Sequence, residues 1–519
     1  MAIDQGTADL AAAIVTTPIA LHQWLVIAPV VIPILTGALL LMIRHRVRLH
    51  ASIAICGLGA SAMCSGLLLA RVVSDGPLVM TMGRWLPPFG ISFAVDVLGA
   101  LLCLTASLVA LVCAFYSLRD VDAIGRRYGF YPFLMLMMAG VGGAFLTGDV
   151  FNLYVWFEVF VISSFGLLVV GNDERRIDGA VKYAILNLVA TTLFLIATGY
   201  LYGVFGTLNM ADLHRKVAAA GAAAPMMTLA TLYLVAFSMK AAAFPVNFWL
   251  PASYHTPKIV TSALFGGLLT KVGIYGLLRV LVMIMPAERL VLSALIGWIA
   301  IATMILGVVC ALAQTDIRRM LGFALISGIG VMLAGLALGD AAGVAGAILY
   351  AIHSMVVMTA LYLLSGMIRD AGGSFSLDDL AGLYDRAPLL AGSALLLGFA
   401  IAGLPPGSGL WPKIALVKAS LDAGQGSLAA AILVSGLLTT VAFGRVFLLA
   451  FWRAEPQAGA AIATRRAPGI AYAPLLILLV LSLAMGLYPE PFIAAAKNAA
   501  AGVVEPSRYV DAVFPGAAP

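Results

Sequence analysis

The sequence predicts an all-α polytopic membrane protein of about fourteen transmembrane helices, and three observations carry that reading. Of 519 residues, 62% are hydrophobic and only 10% charged, whereas about a quarter of the residues of a soluble domain are charged. Apolar runs of roughly 20 residues, enough to cross a bilayer, recur from one end of the chain to the other. Two of these runs are broken by proline and also carry a lysine.

The expected helices lie near 22–43, 51–70, 93–117, 129–147, 150–171, 180–203, 226–250, 259–280, 290–313, 320–338, 343–366, 388–420, 428–451 and 469–488. The first three belong to an N-terminal segment, 22–128, and residues 489–519 read as a tail after the last helix. The seventh helix contains Lys240, Pro245 and Pro251; the twelfth runs through Leu404-Pro405-Pro406-Gly407-Ser408-Gly409 to Lys413. Proline removes a backbone donor and clashes with the preceding turn, so both helices should break. Paired interruptions in corresponding halves point to an internal repeat. Helices 4–8 (129–280) and 9–13 (290–451) are therefore expected to form two inverted five-helix repeats, each with one broken helix. The longest polar connections, 367–387 and 452–468, are too short for a core, so 1–519 reads as a single transmembrane domain.

The net charge of +6 follows the positive-inside rule rather than suggesting nucleic acid. With the N-terminus outside, the inner loops carry sixteen Lys and Arg, among them Arg44, Arg119, Arg318, Arg465 and Arg466. The outer segments carry eight, counting Arg84, Arg279 and Arg289. Both termini are thus expected on the outer face, and residues 1–20 lack the basic start of a signal peptide. The five cysteines lie in apolar helices without CxxC spacing and read as core thiols, not metal ligands. Walker, dinucleotide-binding and HExxH motifs are absent, so no cofactor, metal or enzymatic activity is expected.

The chemistry is expected at Glu158, Lys240, Lys271 and Lys413, four ionisable residues in apolar helices. Such residues cost several kcal/mol at mid-bilayer depth and mark ion or proton pathways. Glu158 and Lys240 read as partners, either a proton-handling pair or a buried ion pair that fixes packing. Lysine at all three cationic positions is informative, because an ammonium can release a proton near neutral pH and a guanidinium cannot. His353 reads as a relay or a hydrogen-bonded core histidine, and His255 as a loop residue near the inner mouth. Lys182 is a candidate for modulating Glu158 or for interfacial anchoring.

These residues and their surroundings resemble the antiporter-like subunits shared by respiratory complex I and Mrp-type multisubunit cation/proton antiporters. The resemblance spans about 90–450. It rests on Phe157-Glu158, on Lys240 ahead of Pro245-Val-Asn-Phe-Trp-Leu-Pro251, and on the stretch from Thr261 through Lys271 to Arg279. It continues in Asp316-Ile-Arg318-Arg319-Met-Leu-Gly-Phe and in Gly403-Leu-Pro405-Pro406-Gly-Ser-Gly-Leu-Trp-Pro-Lys413. Within the family, the stretches around Asp149, Trp249–His255 and Tyr200–Leu213 are similar to the Mrp branch.

The resemblance implies a bacterial inner-membrane subunit that moves H+, with Na+ as counter-ion and other subunits as partners. The Glu158–Lys240 pair would control the path, Lys271 would be the central relay and Lys413 the terminal group. The alternative within the family is a proton-pumping membrane subunit of a NADH:quinone oxidoreductase or membrane hydrogenase complex. Two positions depart from the family: Asn247 stands where a histidine is common and Met358 where a lysine is common.

Overall fold

The computed structural model describes residues 14, 20, 23–87, 89–171, 174–220, 225–454 and 469–515. Arg465, Arg466 and most of the 452–468 connection lie outside the described residues, as does nearly all of the segment 1–20. The chain is predominantly helical, and ten described helices are long and apolar enough to cross a membrane.

Helices α1 (Trp24–Met42) and α2 (Val47–Asp75) lead into a hairpin of β1 (Leu78–Thr81) and β2 (Ser92–Val95). The expected third helix therefore starts four residues late, at α3 (Val97–Asp120), where the Asp96 side chain accepts from the Gly99 N–H. Its presumed first residues, Phe93, Ala94 and Val95, pair with β1 as part of β2 instead. Then follow α4 (Phe130–Leu146), α5 (Val150–Val169), α6 (Glu174–Phe205) and the short amphipathic α7 (Met210–Ala220).

The first broken helix is α8 (Met226–Ala241), a non-helical stretch over 242–248, and α9 (Trp249–Tyr254). It is followed by α10 (Ile259–Ile284), α11 (Pro286–Leu312), α12 (Ile317–Leu338) and α13 (Ala341–Gly372). The second broken helix is α14 (Pro388–Ala402), a stretch over 403–409, and α15 (Leu410–Asp422). The two breaks close alike. Ala242 and Gly403 are left-handed at φ +62° and +87°. The next residues donate five positions back, Ala243 to Ser238 O and Leu404 to Phe399 O, both at 2.9 Å. That is the Schellman closure, which satisfies carbonyls orphaned at a helix end. Pro245 and Pro405-Pro406 lie in these stretches. Pro251, expected among the breaking residues, is instead the third residue of α9, where its missing N–H costs nothing.

A second correspondence joins α5 and α12. Asp149 caps α5 through Asn152 N and Asp316 caps α12 through Arg318 N, each at 2.8 Å. Each cap pairs with a residue sixty positions further on, Asp149 with Asn209 and Asp316 with Ser376. The first pairing sits beside β2, near the start of α3, and the second shares a cavity with Asp120 at the end of α3.

After α16 (Gly426–Trp452) comes α17 (Ala473–Leu487), which bends by 81° into α18 (Glu490–Val504); α19 (Ser507–Val513) follows. The expected tail is thus largely helical. Ala496, Ala499, Ala500 and Val503 are buried at helical spacing, and α18 packs on α13 and α3.

The core centres on α10 and α13, which are buried along nearly their whole lengths. They meet through small residues. A Cβ at Gly267 would lie 2.2 Å from Thr359 Oγ1, and one at Gly266 would lie 2.5 Å from the Tyr362 ring. This seam carries Lys271 on one side and His353 on the other.

Candidate functional site

Lys240 lies in the last turn of α8, 4% exposed. Its Nζ donates to the main-chain O and to Oδ1 of Asn187 on α6, both at 3.4 Å, and lies 5.7 Å from the Phe157 ring centroid. Asn187 Nδ2 donates to Tyr183 O, and the Tyr183 hydroxyl meets Ser164 Oγ at 2.9 Å. These contacts link Lys240 to α6 and α6 to α5, a chain interrupted at Tyr183 between its carbonyl and its hydroxyl.

Glu158 does not join that chain directly. Among the described residues no ion pair within 4.0 Å links it to Lys240, and its buried Oε1 has no hydrogen-bond partner. The sequence points to a contact pair; in the structure Asn187 takes the ammonium and the carboxylate stands off.

Lys271 is fully enclosed in α10, 1% exposed. The turn Phe265–Leu269 is wound as a π-helix, and the Gly266 carbonyl accepts from Lys271 Nζ at 2.6 Å. Single π turns recur at functional sites in helices. Lys413, in the first turn of α15, reaches across the second break to the Ala402 and Ile401 carbonyls at 2.6 and 3.2 Å. These oxygens close the end of α14, where orphaned carbonyls give a helix its negative pole. Among the described residues neither Lys271 nor Lys413 meets a carboxylate within 4.0 Å. Lys413 also borders an apolar cavity of about 620 Å³ between α15 and α16.

His353, like Lys413, meets the second break. It is buried in α13, with Nδ1 2.7 Å from Ser408 Oγ and Ser408 2.9 Å from Ser482 Oγ. Among the described residues its buried Nε2 has no partner. Met358 lies on the same helix, buried, and Asn247 sits in the first break.

The remaining candidates are peripheral. His255 follows α9 with Nδ1 2.8 Å from Pro251 O, and burial holds it below the usual histidine range. Lys182 pairs with Asp178 at 2.6 Å on an exposed turn of α6.

Sequence reasoning missed Asn187, Ser408 and Ser482; the one available signal was an amide or hydroxyl in an otherwise apolar run. It also misplaced two cations. Arg279, counted in an outer loop, is fully buried in α10, with Nη1 2.8 Å from Asp96 Oδ2 and Nε donating to the Tyr275 hydroxyl at 3.0 Å. Arg289 is 8% exposed and donates to the Ala337 and Leu338 carbonyls.

Comparison with known proteins identifies relatives along most of the chain. Residues 147–439 match the family described as NADH:quinone oxidoreductase/Mrp antiporter, TM. The D subunit of the Na(+)/H(+) antiporter of Bacillus subtilis (strain 168) is 36% identical over 489 residues, covering 94% of this chain and 99% of that protein. A chain of the Mrp complex from Dietzia sp. DQ12-45-1b superposes with TM-score 0.88 at 30% identity, covering 95% of this chain and all of that one. A chain of respiratory complex I from Thermus thermophilus shares the fold, with TM-score 0.81 at 24% identity, covering 93% of this chain and 99% of that one. The chain belongs to the NADH:quinone oxidoreductase/Mrp antiporter transmembrane family, alongside the D subunits of Na+/H+ antiporters.

Proposed function

We propose that this chain is the proton-translocating subunit of a multisubunit monovalent cation (Na+)/H+ antiporter, with protons passing by way of Glu158, Lys240, Lys271 and Lys413. The observation that carries the reading is the neutral company of the buried lysines. Among the described residues, Lys271 and Lys413 are held by carbonyl oxygens alone, so either can give up its proton without stranding a buried carboxylate. His353, with one nitrogen on Ser408 and the other open, suits a relay at the second break. The relatives named as antiporter subunits support Na+ as the exchanged ion and other subunits as partners.

In this reading the chain crosses a bacterial inner membrane fourteen times, with both termini outside. The spans are the ten long helices together with α4, the α8–α9 and α14–α15 broken pairs, and the bent α17–α18 pair. Helices α4–α10 and α11–α16 are the two inverted repeats. The matched breaks support that division, and so do the matched caps at opposite ends of α3. A pump subunit of a redox complex would use the same lysines, but the higher identity to antiporter subunits favours exchange.

The test is sodium-induced dequenching of a pH-gradient dye in everted vesicles from antiporter-deficient cells expressing the whole complex. Wild type should respond and Lys240→Ala should not, with the complex assembled in both. A Lys240→Ala complex with full activity would sink the proposed path, and a wild type unresponsive to sodium would favour the redox pump.

A further inference from the structure

A cavity of about 710 Å³ opens where the ends of α3, α6, α9, α12 and α13 converge, away from the buried lysines. Seven of its sixteen lining residues are Lys or Arg, and three are Asp. Those three carboxylates are already engaged. Asp178 holds Lys182 at 2.6 Å, Asp316 holds Arg318 at 3.5 Å, and Asp120 accepts from the Val260 N–H at 2.9 Å. Two more stand just outside the lining: Asp122 takes Lys258, and Asp370 is shared by Arg119 and Arg369.

Among the described residues, the seven lining cations thus face five carboxylates, an excess of two positive charges. Among the described residues Arg176 and Arg319 meet no carboxylate within 4.0 Å. Arg176 gives Nη1 to the Val170 carbonyl at 2.7 Å, but its Nε is buried with no acceptor. The Nε of Arg318 is in the same state, and its guanidinium stacks 3.7 Å from the Phe375 ring centroid, which also receives Arg369 at 5.3 Å. Stacking fixes the guanidinium plane and leaves its in-plane N–H groups for an oxygen ligand. Planar N–H forks match phosphate oxygens.

We propose that this cavity binds a phosphate group, as inorganic phosphate or a soluble phosphate monoester, through Arg176, Arg318 and Arg319. A dianionic phosphate cancels the excess charge, and the volume leaves room for an organic substituent. Its presence would also remove the positive field that repels cations from the mouth where His255 lies. The inference goes beyond the transport reading and does not depend on it.

The experiment is equilibrium binding of radiolabelled inorganic phosphate to the purified whole complex in phosphatidylcholine nanodiscs, at constant ionic strength set by chloride. Saturable binding is expected, weakened by about tenfold or more in Arg176→Gln/Arg319→Gln. The single variant Arg319→Gln, altered at an exposed position, should weaken it in the same direction. Absence of saturable binding in wild type, or equal affinity in all three proteins, would overturn the site. Repeating the titration in phosphatidylglycerol nanodiscs identifies the source. Unchanged affinity supports a soluble phosphate compound, and lost phosphate binding supports a lipid headgroup in the same arginine cradle. Because the readout is binding, a negative result leaves the antiport reading standing.

Discussion

His353 Nδ1 lies 2.7 Å from Ser408 Oγ, joining the buried helix α13 to the second break. Ser408 in turn meets Ser482 on α17, so three elements share one hydrogen-bonded line. Removing the hydroxyl with Ser408→Ala should cost about 1 kcal/mol of stability while leaving the imidazole free to turn. If the imidazole relays protons, sodium-dependent dequenching should slow several-fold at unchanged assembly, and His353→Phe should abolish it. A His353→Phe complex as active as wild type would make the histidine a core residue only.

The two breaks make opposite predictions for small residues. Ala242 occupies the left-handed region at φ +62°, where an L side chain costs roughly 1 kcal/mol. Ala242→Gly should relieve that strain against a backbone-entropy cost of similar size, so thermal stability should hold or rise by a few degrees. Gly403 has the matching conformation, but a Cβ there would lie 2.6 Å from Lys413 Cδ and 3.2 Å from its Nζ. Gly403→Ala should therefore destabilise the break and displace Lys413. Melting curves of the purified complex read both signs, and a Gly403→Ala complex as stable and active as wild type contradicts the placement of Lys413.

Asp96 and Arg279 should behave as a structural pair. Both are buried, and α3 depends on Asp96 for its cap as well. Removing one partner leaves a buried charge uncompensated, at about 3–5 kcal/mol. Asp96→Ala should thus lower the yield of assembled complex sharply. Arg279→Lys should not substitute fully, because an ammonium lacks the fork that spans both carboxylate oxygens. The apolar double variant Asp96→Leu/Arg279→Met should recover part of the assembly lost by Asp96→Ala. Yield on a native gel measures all three, and no recovery would argue that the pair does more than hold α3 to α10.

Why some of this was legible in the sequence and some was not has a physical cause. Lys240, Lys271 and Lys413 stood out because a charge in an apolar run is expensive wherever it ends up. The breaks were legible because proline and glycine act through the backbone, independently of tertiary context. The partners of the lysines were not legible. They are carbonyls of Gly266, Ile401 and Ala402, which every residue carries and only the local winding exposes. Asn187 was equally hidden, since Ser65, Thr105 and other polar side chains in these helices bond to their own preceding turn. Arg279 was misplaced because its partner, Asp96, is 183 residues away in sequence. The folded tail failed for another reason: α18 is too short and too alanine-rich to read as a span, and only its packing on α3 and α13 makes it a helix of the core.

Lys413→Arg separates charge from proton release. Arginine keeps the positive charge, and its in-plane donors can still bond the Ala402 and Ile401 carbonyls. The adjoining cavity of about 620 Å³ leaves room for the larger head group, so the variant should assemble with near-normal stability. A guanidinium, however, stays protonated at any physiological pH. If Lys413 only balances charge or pins the break, Lys413→Arg should support antiport at close to the wild-type rate. If it loads and releases the proton, transport should fall by about a hundredfold or more, the scale of losing a proton-transfer group, while melting temperature and subunit stoichiometry stay in place. Carbonyl-only coordination predicts the second outcome, because a fixed charge would be better stabilised by a carboxylate than by neutral oxygens.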